Sequence, residues 1–380
     1  MNFSLTDEQN DFVAAIRDFC ARECGTQEQR ERLTEGYAKH HNDALYKQMA
    51  ELGWLGITIP EEHGGSGGSM LDACLFMEES SRGLAPIGGY ATTLIVAGAT
   101  QRFGSDEQKR RILGGIAAGA VEAIAMTEPE AGSDVGSLTA SAEQVDGGFV
   151  LNGQKVFISN AHIADHILIV CRTTKGESKH EGLSMIWVPR ETEGLEIVPI
   201  KTMGGEETNT LYMTDIEAPA DALLGQVDQA WTQLMAGLNV ERLILAATML
   251  GIAQRVLDDT LAYVKERKQF GRPIGSFQAL QHRIADMATE IEAARLMTRW
   301  VASLTDEDPS RMLPREASMV KLHVTEVAKR VSVEGMQMMG GYGYSSEYDM
   351  ERLVRATMVS TIYGGTSEIQ RTIIAKTLGL

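Results

Sequence analysis

The chain has 380 residues, of which 43% are hydrophobic and 23% charged, as is typical of a soluble globular protein and not of a disordered one. Its 35 basic and 52 acidic residues give a net charge of −17, which would repel phosphate backbones and anionic lipids, so we expect no nucleic-acid partner. The 38 glycines include adjacent pairs without a fixed period, which excludes collagen-like and solenoid repeats.

The longest uncharged stretch, from Gly83 to Gln101, contains a proline and two adjacent glycines. We therefore expect a buried soluble segment there and no membrane span. The opening residues MNFSLTDEQ lack a basic region followed by an apolar one, so we expect a cytoplasmic protein without a secretion signal. The cysteines, which fit no metal-ligand spacing, are then expected to be free thiols: Cys20, Cys24, Cys74 and Cys171.

Helical periodicity dominates the first third of the chain. Thr6 and Gln9 form a predicted capping box, and the apolar residues after them recur at helical spacing to Phe19. Further helical patterns cover Leu45–Leu52, Leu71–Arg82 and Ser105–Leu113. We predict an N-terminal α-helical domain over residues 1–120.

From about residue 121 the pattern changes to short stretches rich in β-branched residues and separated by turn residues. One predicted hairpin turn is Asn152–Gly153. The predicted strands are Glu122–Met126, Leu138–Gln144, Phe149–Leu151, Lys155–Ile158, Ile167–Arg172, Leu183–Pro189 and Leu211–Ile216. Such a run predicts a middle β-barrel domain over residues 121–225.

Helical periodicity returns near Trp231 and lasts to the end of the chain. Leu238–Lys268 contains no proline and predicts one long helix, and further helices are predicted at Ser276–Leu304, Arg315–Met338 and Ser367–Leu378. We predict a four-helix bundle over residues 226–380, and therefore an α+β multidomain fold in the order helices, barrel, bundle.

The segment Met126–Asp134 is the most informative motif, because a strand enters a loop in which Pro129 fixes the turn and Gly132 permits close approach of a flat group. The chain contains neither a Rossmann glycine fingerprint nor a P-loop. With this segment the chain resembles the acyl-CoA dehydrogenase family of flavoproteins. The segments that carry the resemblance are TEPEAGSD at 127–134, LNGQKVFISN at 151–160, ERKQFGRPIGSFQALQ at 266–281, QMMGGYGY at 337–344 and YGGTSEIQ at 363–370.

The resemblance implies FAD bound between the middle and C-terminal domains, with contacts from a neighbouring subunit. The residues matched to the flavin ring are Met126, Thr127, Gly132, Ser133, Phe157, Ile158 and Ser159. Those matched to the pyrophosphate and adenosine of a partner's FAD are Arg267, Phe270, Gln278, Gln337, Gly340 and Gly341, and the flavin-contacting turn is matched to Thr366, Ser367 and Glu368. A homotetramer and an electron-transfer flavoprotein as electron acceptor are also implied.

The resemblance further implies α,β-dehydrogenation of an acyl-CoA thioester to the trans-2-enoyl-CoA, in fatty acid and lipid metabolism. Many members carry the catalytic base at the position of Gly364, and glycine cannot be a base. The isovaleryl-CoA dehydrogenase-like subset carries it on the long helix before an arginine, which corresponds here to Glu241. We therefore predict that Glu241 abstracts the α proton, with its pKa raised by apolar neighbours, while the backbone N–H of Gly364 polarises the carbonyl.

The residues matched to substrate contacts are Ser133, Asn239, Arg242, Gly364 and Gly365. The missing side chain at Gly364 favours a branched or bulky acyl group. Two alternatives stay open: an enoyl-CoA reductase of the crotonobetainyl-CoA type, and a non-catalytic flavoprotein subunit of a hetero-oligomer. One departure from the family is Gly205, where many relatives have arginine.

Overall fold

The computed structural model describes residues 4–380. Its contacts form two compact units. Residues 4–33, Ser69–Ala85 and Arg242–Leu380 make up the helical unit, and Thr34–Gly68 and Pro86–Glu241 make up the sheet-containing unit. The three domain boundaries predicted from the sequence stay predictions.

The helices are α1 Asp7–Glu23, α2 Gln27–Leu33, α3 Asp43–Glu51, α4 Met70–Arg82, α5 Tyr90–Phe103, α6 Asp106–Gln108, α7 Gly114–Ala117, α8 Ala230–Glu266, α9 Gln278–Glu307, α10 Pro314–Met339, α11 Gly341–Tyr344, α12 Met350–Ser360 and α13 Ser367–Thr377. The strands are β1 Glu122–Ala125, β2 Ser141–Val145, β3 Gly148–Ser159, β4 His166–Arg172, β5 Leu183–Pro189, β6 Leu195–Thr202, β7 Gly205–Pro219, β8 Leu223–Leu224, β9 Lys268–Gln269 and β10 Arg272–Pro273.

The N-terminal capping box is confirmed. The Gln9 N–H donates to the Thr6 hydroxyl and the Thr6 N–H donates to the Gln9 amide oxygen, both at 3.2 Å. Such a box satisfies two amide groups that the first helical turn cannot pair. The uncharged stretch between Gly83 and Gln101 is mostly helix α5, which is buried along much of its length. The four cysteines are free, as expected, and they are buried.

Seven strands of the sheet-containing unit follow the order β6-β7-β3-β2-β4-β5-β8, and β1 pairs with β4 in parallel. The hairpin turn predicted at Asn152–Gly153 is wrong, because both residues lie inside β3 at a register shift against β7. Gly153 supplies a φ of +139° there, and the Asn152 side chain accepts from the Asp215 N–H at 2.9 Å and donates to its carboxylate at 3.0 Å. The Asn-Gly pair therefore makes a bulge in one long strand.

One apolar core joins α5, the helical segment 109–117 and strands β4 and β5. Val96 and Ala97 from α5 meet Leu168 and Val170 of β4 and Met185 of β5, all buried. Met126 at the end of β1 packs against this core. The core thereby holds the strand from which the Met126–Asp134 loop leaves.

In the helical unit, α10 packs against α9, α12 and α13, and α4 packs against α1 and α9. The predicted long helix is confirmed and begins earlier than expected, as α8. Among the described residues, α8 is the one helix that is long and apolar enough to cross a membrane, and 53% of its most apolar stretch is buried, as in a core helix of a soluble protein.

Candidate functional site

The residues matched to the flavin ring converge on two adjoining segments of the sheet-containing unit, the Met126–Asp134 loop and the end of β3. The Val156 N–H donates to the Thr127 carbonyl oxygen at 2.9 Å. The Lys155 ammonium donates to the Met126 carbonyl oxygen at 3.1 Å and to the Glu128 carboxylate at 2.8 Å. The structure thus brings together the two segments that the sequence singled out separately.

The ion pair beneath these segments is buried, with Lys155 0% and Glu128 5% exposed. The Glu128 carboxylate also accepts from the N–H groups of Thr139 at 2.7 Å and Ala140 at 2.9 Å. Burial by itself would raise the pKa of Glu128, but the Lys155 ammonium and these hydrogen bonds outweigh burial and hold its pKa below the ordinary value. The carboxylate is therefore charged at neutral pH and anchors the loop.

Phe157 lies at a second irregularity of β3, between Lys155 and Ile158. Its φ is +59°, a left-handed conformation that a bulky residue rarely adopts, and its side chain is 62% exposed. A strained, exposed aromatic residue is a feature of binding sites. Ser159 and Gly132 are also exposed, and a Cβ at Gly132 would meet no atom within 4 Å, so a flat group has room at this surface.

The residues matched to phosphate and adenosine lie in the helical unit, three of them around one cavity of about 520 Å³. Arg267, Gly340 and Gly341 line it, together with Tyr263 and Tyr342. The Arg267 guanidinium lies 5.6 Å from the centre of the Tyr342 ring, which holds a fixed positive charge at the cavity wall. Gly340 has a φ of +61°, and a Cβ there would meet nothing within 4 Å. These features fit the phosphates of a dinucleotide.

Phe270 stands at the tip of the short β9–β10 hairpin. It is 93% exposed with a φ of +53°, and its ring meets Phe277 edge to face at 6.1 Å between ring centres. Gln278 begins α9 and Gln337 lies in the last turn of α10, and both are exposed. The structure does not assign a ligand to these three residues, and their match to FAD contacts stays a prediction.

The flavin-contacting turn begins α13. The Thr366 hydroxyl caps the helix by accepting from the Ile369 N–H at 3.3 Å, and Thr366, Ser367 and Glu368 line a cavity of about 620 Å³. Hydrogen bonds from its own N–H and from the Thr366 hydroxyl lower the pKa of the exposed Glu368. The first turn of α13 is therefore capped by its own side chains, and the match of these residues to flavin contacts stays a prediction.

The turn before α13 contains Gly364 and Gly365, both with positive φ, +60° and +82°. The Gln370 side chain donates to the carbonyl oxygens of Gly364 at 2.9 Å and Gly365 at 3.0 Å, and Lys321 donates to that of Gly365 at 2.8 Å. No described residue accepts a hydrogen bond from the Gly364 N–H. This N–H is the group to which the resemblance gives carbonyl polarisation.

Glu241 and Arg242 are consecutive residues of α8, with Glu241 half-buried and Arg242 7% exposed. The next two residues, Leu243 and Ile244, are 1% and 2% exposed. Asn239, two residues before Glu241 in the same helix, is also half-buried. The apolar surroundings of the Glu241 carboxylate, its raised pKa and its role as base stay predictions.

Sequence reasoning missed the residues that hold the site segments: Lys155, Glu128, Lys321, Gln370 and the tyrosines of the Arg267 cavity.

Gly205, the departure from the family, follows the two-residue turn between β6 and β7 with a φ of +122°. An arginine would be strained in that conformation. In residues 4–380, no group of three or more histidine, cysteine or acidic side chains could hold a metal ion.

Three parts of the chain match models of known domains. Residues 6–120 match the acyl-CoA dehydrogenase N-terminal domain, residues 123–216 the middle domain and residues 228–379 the C-terminal domain. Together the three matches span nearly the whole chain.

Similar proteins include the probable acyl-CoA dehydrogenase YngJ of Bacillus subtilis, 38% identical with 100% of both chains covered. The caffeyl-CoA reductase-Etf complex subunit CarC of Acetobacterium woodii is 36% identical over 97% of both chains. The mitochondrial isovaleryl-CoA dehydrogenase of Solanum tuberosum is 35% identical over 98% of this chain and 90% of its own. The crystal structure of acyl-CoA dehydrogenase from Geobacillus kaustophilus superposes with a TM-score of 0.93 at 33% identity, covering 100% of both chains.

Proposed function

Because this chain belongs to the acyl-CoA dehydrogenase family of FAD-dependent oxidoreductases, we propose that it oxidises an acyl-CoA thioester to the trans-2-enoyl-CoA with Glu241 as the base. The observation that carries the proposal is the turn at Gly364. A glycine at φ +60° occupies the loop position where many members carry a carboxylate. The half-buried carboxylate of Glu241 on α8 is then the candidate for the same task.

FAD, when bound, accepts the β hydrogen with its electron pair. We assign its flavin ring to the surface made by Met126, Thr127 and Phe157–Ser159. We assign the phosphates of a neighbouring subunit's FAD to Arg267 with Gly340 and Gly341. The exposed, strained Phe157 and the cationic cavity wall at Arg267 support these assignments.

In the proposed reaction the Glu241 carboxylate takes the α proton of the thioester, and a carbon–carbon double bond forms as the β hydrogen leaves. The α proton is only weakly acidic, so the carbonyl oxygen must carry negative charge in the transition state. The Gly364 N–H donates to that oxygen in our proposal.

The remaining assignments follow from the same resemblance. We propose an electron-transfer flavoprotein as the electron acceptor, a homotetramer as the assembly and the cytoplasm as the location. Similarity to a subunit of a complex named for its Etf component supports the first of these. The lack of a side chain at Gly364 favours a branched or bulky acyl group in our proposal. Asn239, Arg242, Ser133 and Gly365 are proposed to contact the substrate.

A second candidate is the reverse reaction, reduction of an enoyl-CoA. The similarity to the caffeyl-CoA reductase subunit favours it. The same residues would serve, because a protonated Glu241 can return a proton to the α carbon.

The experiment is an anaerobic titration of the FAD-loaded protein with saturated and unsaturated acyl-CoA esters, followed by flavin absorbance. We expect a saturated ester to bleach the flavin and to yield the enoyl-CoA. E241Q should stay yellow and lose the bleaching rate by several orders of magnitude, whereas E266Q, at the exposed end of the same helix, should behave as wild type. Near-normal bleaching in E241Q would refute the base assignment. Oxidation of the reduced flavin by enoyl-CoA, with no bleaching by any saturated ester, would establish the reductase instead.

A further inference from the structure

The Gly364–Gly365 turn has a flexible sequence but a firmly held backbone. Two consecutive glycines with positive φ form the dipeptide that loses most conformational entropy on ordering. Yet both of its carbonyl groups are fixed by side chains from elsewhere in the helical unit. A flexible sequence held this firmly implies that the direction of its peptide groups matters.

The side chains that fix the turn are Lys321 of α10 and Gln370 of α13, and both are 0% exposed. The Lys321 ammonium lies 2.8 Å from the Gly365 carbonyl oxygen and 5.9 Å from the centre of the Tyr363 ring. Gln370 bridges both glycine carbonyl oxygens, at 2.9 and 3.0 Å. We refer to Lys321 and Gln370 as the turn clamp.

Burying an ammonium group costs free energy, since it leaves water for a medium of lower polarity. An apolar residue at position 321 would fill the α10 interface without that cost, as its neighbours Val320 and Val324 do, both 0% exposed. The charge therefore needs a reason other than packing. The bond to the Gly365 carbonyl provides one such reason, because a charge-assisted hydrogen bond in a buried place is strong and directional.

We propose that Lys321 and Gln370 are positioning residues: by holding the Gly364 and Gly365 carbonyls they fix the two peptide planes that follow the Gly364 Cα. They thereby anchor on its C-terminal side the residue whose N–H polarises the substrate carbonyl. The inference rests on the role given to that N–H in the proposed function. A side chain at position 364 would itself restrict the backbone. Here, with two glycines, the clamp supplies the restriction.

The test compares wild type with K321M and Q370M, which remove the donors and keep similar volume, and with K376M, which removes an exposed lysine of α13. Four quantities are measured: FAD content, Kd for a saturated acyl-CoA, kcat, and the infrared stretching band of a ¹³C-labelled thioester carbonyl in the bound ester. A carbonyl that accepts a strong hydrogen bond absorbs at lower frequency than in water.

We expect K321M and Q370M to keep FAD and to bind acyl-CoA within about threefold of wild type, because the clamp does not touch the ligand. Their kcat should fall about 10- to 100-fold, since loss of a correctly placed oxyanion donor costs about 10²- to 10³-fold. The carbonyl band should move back toward its frequency in water, and K376M should match wild type throughout. If K321M does not fold, Q370M decides the matter.

The possible failures are distinguishable. If the wild-type band itself shows no shift, the carbonyl role of Gly364 in the proposed function is wrong and the clamp has nothing to position. If the wild-type band is shifted and both variants keep the shift and their kcat, the clamp inference alone is overturned. Loss of FAD and of thermal stability in K321M, with the carbonyl band still at its wild-type frequency, would show that Lys321 is only structural.

Discussion

The two fully buried lysines, Lys155 and Lys321, lie directly beneath backbone segments of the candidate site. Each donates to a main-chain carbonyl of a segment that the sequence had marked as functional. Burying a charge is costly unless it is paired and hydrogen-bonded. Both lysines are hydrogen-bonded to the segment whose geometry they fix, and Lys155 is also paired with Glu128.

The Glu128–Lys155 pair gives a prediction on stability. E128Q leaves the Lys155 ammonium buried without its counter-charge, and breaking a buried ion pair on one side costs about 3–5 kcal/mol. We expect urea denaturation at pH 7 to show a loss of that size in the free energy of unfolding. D134N, which breaks the exposed Asp134–Lys179 pair in the same unit, should show no measurable loss. Equal losses in both variants would mean that burial does not distinguish the two pairs.

The same variant gives a pH dependence. The pKa of Glu128 is lower in the folded protein than the ordinary value of 4.5. Its contribution to stability is therefore complete above about pH 4.5 and is lost as the pH falls through the folded-state pKa. The stability difference between wild type and E128Q should narrow below that pH. A difference that stays constant from pH 7 to pH 3.5 would contradict the lowered pKa.

At the scale of elements, α8 packs against α4 at Gly251, where no side chain fits. A Cβ at this position would lie 2.1 Å from the Glu78 carbonyl oxygen and 2.9 Å from the Ser81 Cβ. G251A must push the two helices apart, and overpacking typically costs about 1–3 kcal/mol. The matched control is G98A in α5, where a Cβ meets nothing within 4 Å. Alanine gains up to about 1 kcal/mol in helix propensity there.

We expect thermal denaturation to give a lower Tm for G251A and an unchanged or higher Tm for G98A. An unchanged Tm in G251A would mean that α4 and α8 have room to separate, and the close contact at Gly251 would then not be needed for packing.

The order of helices and strands was largely predictable from the sequence, because amphipathic helices and alternating strands repeat their apolar residues with different periods. Strand β6 was missed since Pro199 interrupts its pattern, and the sheet tolerates that proline because β6 is an edge strand. The Asn152–Gly153 pair in β3 led to the wrong prediction of a hairpin turn. A bulge and a hairpin use the same residues, and only the pairing with β7 distinguishes them.

The site residues were predictable only where a motif marked them. Lys155 follows Phe149 and Leu151 on the buried side of β3, and Lys321 stands among Val320 and Val324 on the buried side of α10. A charged residue at an apolar position of a periodic pattern is a signal that a buried partner exists. The signal does not identify the partner. Met126 is distant in sequence from Lys155, and Gly365 from Lys321, and only the fold brings each pair together.

At the scale of the whole molecule, the residues matched to FAD divide between the two compact units: those matched to the flavin ring lie in the sheet-containing unit, and those around Arg267 lie in the helical unit. The resemblance assigns the Arg267 group to the FAD of a neighbouring subunit. If that assignment holds, no subunit has a complete cofactor site of its own, and activity requires an oligomer.

Complementation between two inactive variants tests this. E241Q lacks the base, and R267E places a negative charge where phosphate is expected to bind, so each variant alone should be inactive. In a mixed dimer, the subunit carrying E241Q supplies Arg267 to the FAD of the subunit that keeps Glu241, so one of the two sites in each mixed dimer is complete. If Arg267 acts within its own subunit, no mixed dimer has a complete site and co-expression restores nothing. The measurement is turnover per bound FAD after co-expression with two affinity tags, with light scattering to confirm that the mixed oligomer has formed.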